Sequence, residues 1–73
     1  MPAITFFLKH DHVELNQLLK LVGVCDSGGA GKALVATGVV SVDGVTELRK
    51  TAKIRAQQTV TVGDVEIRVN AAS

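Results

Sequence analysis

His12-Val13-Glu14-Leu15-Asn16-Gln17-Leu18-Leu19-Lys20-Leu21-Val22-Gly23 is the stretch from which the fold can be read. Within it Leu15, Leu18, Leu19 and Val22 recur at i, i+3, i+4 and i+7. That spacing puts four aliphatic side chains on one stripe of a helix. It predicts a helix over residues 12–22, opened by Asp11 as N-cap and stopped by Gly23. Glu14, Gln17 and Lys20 then turn toward solvent.

Downstream, Ser27 has the hydroxyl needed to cap a second helix running to Thr37, with Gly38 as its stop. Ala30, Ala33 and Leu34 would give this helix a narrow face of small residues, suited to close packing on the first. Gly28, Gly29 and Gly31 make it intrinsically weak, at a cost of about 0.5–1 kcal/mol each relative to alanine. It must therefore lean on tertiary contacts.

The remainder reads as β. Val40 and Val42 alternate with Ser41, Asp43-Gly44 is a hairpin turn signal, and Val45 to Arg49 would return as the partner strand. Val60 and Val62 alternate with threonines, and after Gly63-Asp64 the residues Val65, Ile67 and Val69 alternate with Glu66 and Arg68. Upstream, Ile4 to Leu8 forms a further strand, and Asn70 to Ser73 a frayed tail. The expected architecture is α+β, with two packed helices against a small, mostly antiparallel sheet in a single domain over residues 1–73.

Composition narrows the function. Phe6 and Phe7 are the only aromatics, and Trp and Tyr are absent. Modules that stack unpaired bases depend on aromatic platforms, so a base-stacking mode is disfavoured. The lone Cys25 cannot make an internal disulfide, which fits a reducing cytoplasm. Met1-Pro2-Ala3 lacks a secretory leader's basic and apolar regions. No apolar run approaches the roughly 20 residues that span a bilayer, so no membrane partner is expected. Net charge is only +1, yet Arg49, Lys50, Lys53 and Arg55 fall within seven residues that hold no acid. Such a knot is either an anion-seeking surface or a strand edge guarded by charge.

The order of these pieces resembles the RNA-binding domain of the ribosomal-protein-S-four type, the alpha-L motif. The resemblance runs through Leu15, Leu18, Leu19, Gly23, Ser27, Lys32, Leu34, Val35, Gly38, Val40, Val42, Asp43 and Gly44, and spans about residues 12–62. His12-Val13-Glu14-Leu15, Leu18-Leu19-Lys20-Leu21, Val42-Asp43-Gly44, Glu47 with Arg49-Lys50, and Lys53-Ile54 are similar to the small bacterial YbcJ-like group of that family. The resemblance implies binding to RNA through a basic surface made by the helix pair and the adjoining hairpin, with no catalytic activity. Family members typically carry arginines where this chain has Glu14 and Gly28. The basic weight here shifts to Lys32, Arg49, Lys50 and Lys53.

Other constellations carry less. Ser27-Gly28-Gly29-Ala30-Gly31-Lys32 looks like a phosphate loop, but Asp26 stands where the first glycine belongs and Ala33 where a magnesium-binding hydroxyl belongs. A phosphate meeting the helix N-terminus at Ser27 is the better reading. His10 and His12 are too few for a zinc site, and Cys25 lies at the far end of the helix. Glu47 is expected to pair with a neighbouring cation. The sequence thus predicts a cytoplasmic, monomeric, non-enzymatic protein with no cofactor and no small-molecule substrate. Its partner would be structured RNA, such as ribosomal RNA, met by Lys32, Arg49, Lys50, Lys53, Arg55, Lys20 and Ser27. The rival readings are an interaction module that docks an acidic protein on the same scaffold, or an appendage acting in trans on an RNA-modifying enzyme.

Overall fold

In the computed structural model, which describes residues 3–71, the chain forms β1 (Ala3–Phe7), β2 (His12–Glu14), α1 (Leu15–Leu21), α2 (Gly28–Ala36), β3 (Val40–Val42), β4 (Val45–Thr46), β5 (Lys53–Arg55), β6 (Thr59–Val62) and β7 (Val65–Asn70). A five-stranded sheet has the order β1-β7-β6-β3-β4, and β2 and β5 form a separate two-stranded ribbon. All pairings are antiparallel except β1 with β7. The α+β class and the mostly antiparallel sheet are as the sequence predicted. The expectations about the leader at Met1-Pro2 and the last residues of the tail lie outside the described residues.

One core holds the layers together. Leu15, Leu18 and Leu19 of α1, Val35 of α2, Ile54 of β5, and Val40, Val60, Ile67 and Val69 of the large sheet are all at most 1% exposed. Each such side chain contributes about 1.5–3 kcal/mol when removed from water. The intervening Thr59, Thr61, Glu66 and Arg68 take the other face of the sheet, as the period of two requires. At the β3–β4 turn Asp43 (φ 52) and Gly44 (φ 83) both adopt left-handed conformations, the signature of a tight type I′ hairpin. The Asp43 carboxylate also accepts the Thr59 amide at 2.9 Å, tying the hairpin to β6.

Four local expectations need correction. Residues 12–14 are extended, not helical, because they pair with β5 in the register His12↔Arg55, Val13↔Ile54 and Glu14↔Lys53. Helix α1 therefore starts three residues later, with Glu14 in place of Asp11 at the N-cap and no side-chain cap. Second, the face of α2 that meets α1 is Gly31 and Val35, while Ala30 and Ala33 are exposed. The helices approach so closely that a Cβ on Gly31 would lie 2.6 Å from the Asn16 carbonyl oxygen, which only glycine tolerates. Third, β4 ends at Thr46, because Glu47 and Arg49 fold onto each other instead of continuing the strand. Fourth, Asn70 is not frayed: it closes β7, and its carbonyl accepts the Leu8 amide at 2.9 Å. The Ser27 cap is as expected, its hydroxyl accepting the Ala30 amide at 3.1 Å.

Candidate nucleic-acid interface

The basic window runs from the loop between β4 and β5 into β5 itself, and the loop's backbone is anchored to α1. The first amides of a helix have no partner within it. Here Leu15 donates to the Ala52 carbonyl at 2.9 Å and Asn16 to the Lys50 carbonyl at 3.1 Å. The loop thus does the work of the missing side-chain cap, and α1 in turn fixes where Lys50 and Lys53 emerge. A turn within the loop, Ala52 amide to Arg49 carbonyl at 3.3 Å, tightens it further.

Lys32 reaches the same place from α2. It follows Gly31, the point at which α2 touches α1 at Asn16. Lys32, Arg49, Lys50 and Lys53, all exposed, line one open basin, with Leu48 on its border. Four of the seven residues singled out in the sequence are therefore brought together. Arg55 is not among them; it is exposed on β5 opposite His12, and its amide donates to the Gln58 side chain at 2.7 Å. Lys20 sits exposed in the last turn of α1, where a cation complements the helix dipole. Ser27 stands at the N-terminus of α2 with its hydroxyl engaged as the cap.

The window that holds no acid in sequence does have acids beside it in space. Glu47 grips Arg49 in a bidentate pair, Nε to Oε2 at 3.1 Å and Nη2 to Oε1 at 3.0 Å. The Arg49 amide also donates to Oε2 at 3.1 Å. The side-chain hydrogen bonds from Arg49 hold the Glu47 carboxyl below the usual glutamate range, and the same contact raises the Arg49 guanidinium above its ordinary value. Glu14 sits opposite Lys53 in the β2–β5 register without forming an ion pair. Among the described residues, the basin's cations without an ion-pair partner are Lys32, Lys50 and Lys53.

Leu48 was not singled out by the sequence. It lines the basin although 60% of its surface is exposed. Phe7 is also exposed, at 57%, so a surface aromatic does exist. It lies on β1, at the opposite edge of the large sheet from the β3–β4 hairpin. Among the described residues no group of three or more His, Cys, Asp or Glu side chains could hold a metal. No helix among them is long and apolar enough to cross a membrane.

The family model for the S4 domain matches residues 6–70. YbcJ of Escherichia coli (strain K12) is 50% identical over 66 residues, covering 89% of this chain and 94% of that protein. YbcJ of Shigella flexneri gives the same figures. The solution structure of YbcJ from E. coli, which revealed an alpha-L motif involved in RNA binding, superposes with a TM-score of 0.69 at 45% identity. That match covers 97% of this chain and 89% of the other.

Proposed function

Because the chain belongs to the S4-domain family, we propose that it is an RNA-binding protein without catalytic activity, acting through the basin between α2 and the β4–β5 loop. The observation that carries this reading is the convergence of Lys32, Lys50 and Lys53 from separate elements onto one open surface. Each ammonium can neutralise a phosphate, while the anchored backbone fixes where the three flexible side chains begin. Point charges gathered on one ordered surface, with no aromatic beside them, suit the phosphates of a folded RNA better than the bases of an unstacked strand. The lone half-buried Cys25 suits a reducing, cytoplasmic setting. Nothing in the arrangement requires a second copy of the chain.

The test is the double variant Lys50→Ala, Lys53→Ala, titrated with structured RNAs of unrelated sequence at several salt concentrations. Alanine keeps the Lys50 carbonyl that holds α1, so stability should move by less than about 0.5 kcal/mol. Affinity should fall similarly for every RNA. The slope of log K against log salt should shrink by roughly one per lysine removed. Lys9→Ala, outside the basin, is the control. Unchanged affinity and slope in the double variant would mean that the basic loop only guards a strand edge.

A further inference from the structure

Leu48, Val39 and Val45 are 60%, 48% and 70% exposed, and they account for three of the five large hydrophobic residues most open to solvent among those described. All three belong to the β3–β4 hairpin or its flanks. The Glu47 amide donates to the Val40 carbonyl at 2.9 Å, so the chain leaving β4 runs back beside the start of β3. Leu48 thereby comes to lie over Gly38, its Cδ2 only 3.8 Å from where a Cβ there would stand. Because β4 ends after two residues, no further strand covers these side chains. Continuing the β3–β4 register sets Leu48 opposite Val39, on the face away from Val45, and Leu48 lines the cationic basin beside Lys50 and Lys53.

An apolar surface bordered by ammonium groups fits a ligand that is anionic and apolar within a few ångströms. A uniform A-form duplex is a poor match, because its base faces are hidden in the stack and its accessible surface is phosphate and ribose hydroxyl. A nucleotide that has left the stack shows an apolar face next to its own phosphate. We propose that Leu48, beside Val39, receives an unpaired nucleotide adjacent to a paired segment whose phosphates lie on Lys32, Lys50 and Lys53. This rests on the RNA-binding reading and makes it narrower: the preferred ligand is a helix interrupted by a bulge or ending in a loop, and Leu48 determines that preference.

Two RNAs test it, a blunt fully paired duplex and the same duplex carrying one central bulged nucleotide. The wild-type chain should bind the bulged RNA about five- to tenfold more tightly, the magnitude expected from covering one leucine side chain. Leu48→Ala should erase that difference by weakening the bulged RNA about five- to tenfold more than the paired duplex, with both salt slopes kept, since no charge is removed. Its circular dichroism should match the wild type, since the side chain is exposed. Equal binding of both RNAs by the wild type, or equal weakening of both by Leu48→Ala, overturns the proposal. The Lys50→Ala, Lys53→Ala variant separates the two levels. If it weakens both RNAs while Leu48→Ala alters neither, RNA binding stands and the leucine's role falls. If it alters neither, the RNA-binding reading fails and this inference with it.

Discussion

The Asn16 amide donates to the Lys50 carbonyl across 3.1 Å, joining the first turn of α1 to the basic loop. The same residue is the contact point for α2, since its carbonyl faces Gly31. Asn16 is therefore a common anchor for both walls of the basin, and it is itself only 1% exposed. Its Oδ1 has no protein partner.

The closeness of that contact sets two effects against each other at Gly31. Alanine is favoured over glycine in a helix by about 1 kcal/mol. The new methyl would meet backbone atoms, which cannot swing aside. Overpacking of this kind costs about 1–3 kcal/mol or more, so the clash should win and Gly31→Ala should be destabilising. Gly29→Ala is the counterpart, because its methyl would meet only the Ser27 hydroxyl at 3.9 Å. It should be neutral or stabilising by up to about 1 kcal/mol. Urea denaturation of the two variants reads the sign directly, and a stabilising Gly31→Ala would disprove the close approach.

Freeing Arg49 should strengthen binding. In Glu47→Gln the bidentate carboxylate is lost, and the guanidinium becomes available to a phosphate. RNA affinity should rise, and the salt slope should steepen by about one. Acid should act in the same direction. Glu47 titrates below the ordinary glutamate value, so its contribution to stability is complete above that value and is lost as pH falls through the lowered one. Following the Glu47 carboxyl by NMR in Arg49→Ala should show its titration returning toward the ordinary range.

Glu14 opposes Lys53 across the β2–β5 ribbon. Its charge weakens the local potential without closing an ion pair, so Glu14→Gln should raise RNA affinity modestly, about two- to threefold at low salt. The gain should vanish near 1 M salt, where exposed charges are screened within about 3 Å. A gain that persisted at high salt would point to a contact other than charge.

Ser27→Ala removes the acceptor of the Ala30 amide at the start of a glycine-rich helix. Loss of such a cap costs about 1 kcal/mol, and Ser27→Gly should cost only a few tenths. Thermal unfolding of the pair gives the comparison. Equal melting temperatures for wild type and Ser27→Ala would show that the hydroxyl does not stabilise α2.

What the sequence revealed was local, and what it hid was contact between distant segments. The Leu15-Leu18-Leu19 stripe, the Ser27 cap and the Asp43-Gly44 turn are decided by residues within a few positions of one another. All three are where the spacing put them. The ribbon of β2 and β5 depends on His12 meeting Arg55, and neither three-residue segment is long enough to display a period. Gly31 counted as a weakness of α2 because its benefit comes from Asn16 on the other helix. Arg49, Lys50 and Lys53 of the basin were legible as a cluster of charge, and Lys32 through the family resemblance. Leu48 was not, since a single leucine in a short expected strand carries no sign of exposure until the strand is seen to stop at Thr46.

The parallel pairing of β1 with β7 sets a timetable for the chain's birth. Ala3 lies beside Glu66 and Phe7 beside Asn70, so β1 must wait for β7, made well after it. Until β7 exists, Ile4 and Phe6 have no sheet to join, and the helix pair and the hairpin can form only as isolated pieces. Joining the two strands closes a loop of nearly the whole chain, and the entropy of that closure grows with the logarithm of its length. Non-local pairing of this kind slows folding relative to a helical bundle of the same size. The large sheet is thus completed only once β7 has been made, and a nascent chain that stalls short of β7 presents an unpaired apolar strand to its surroundings.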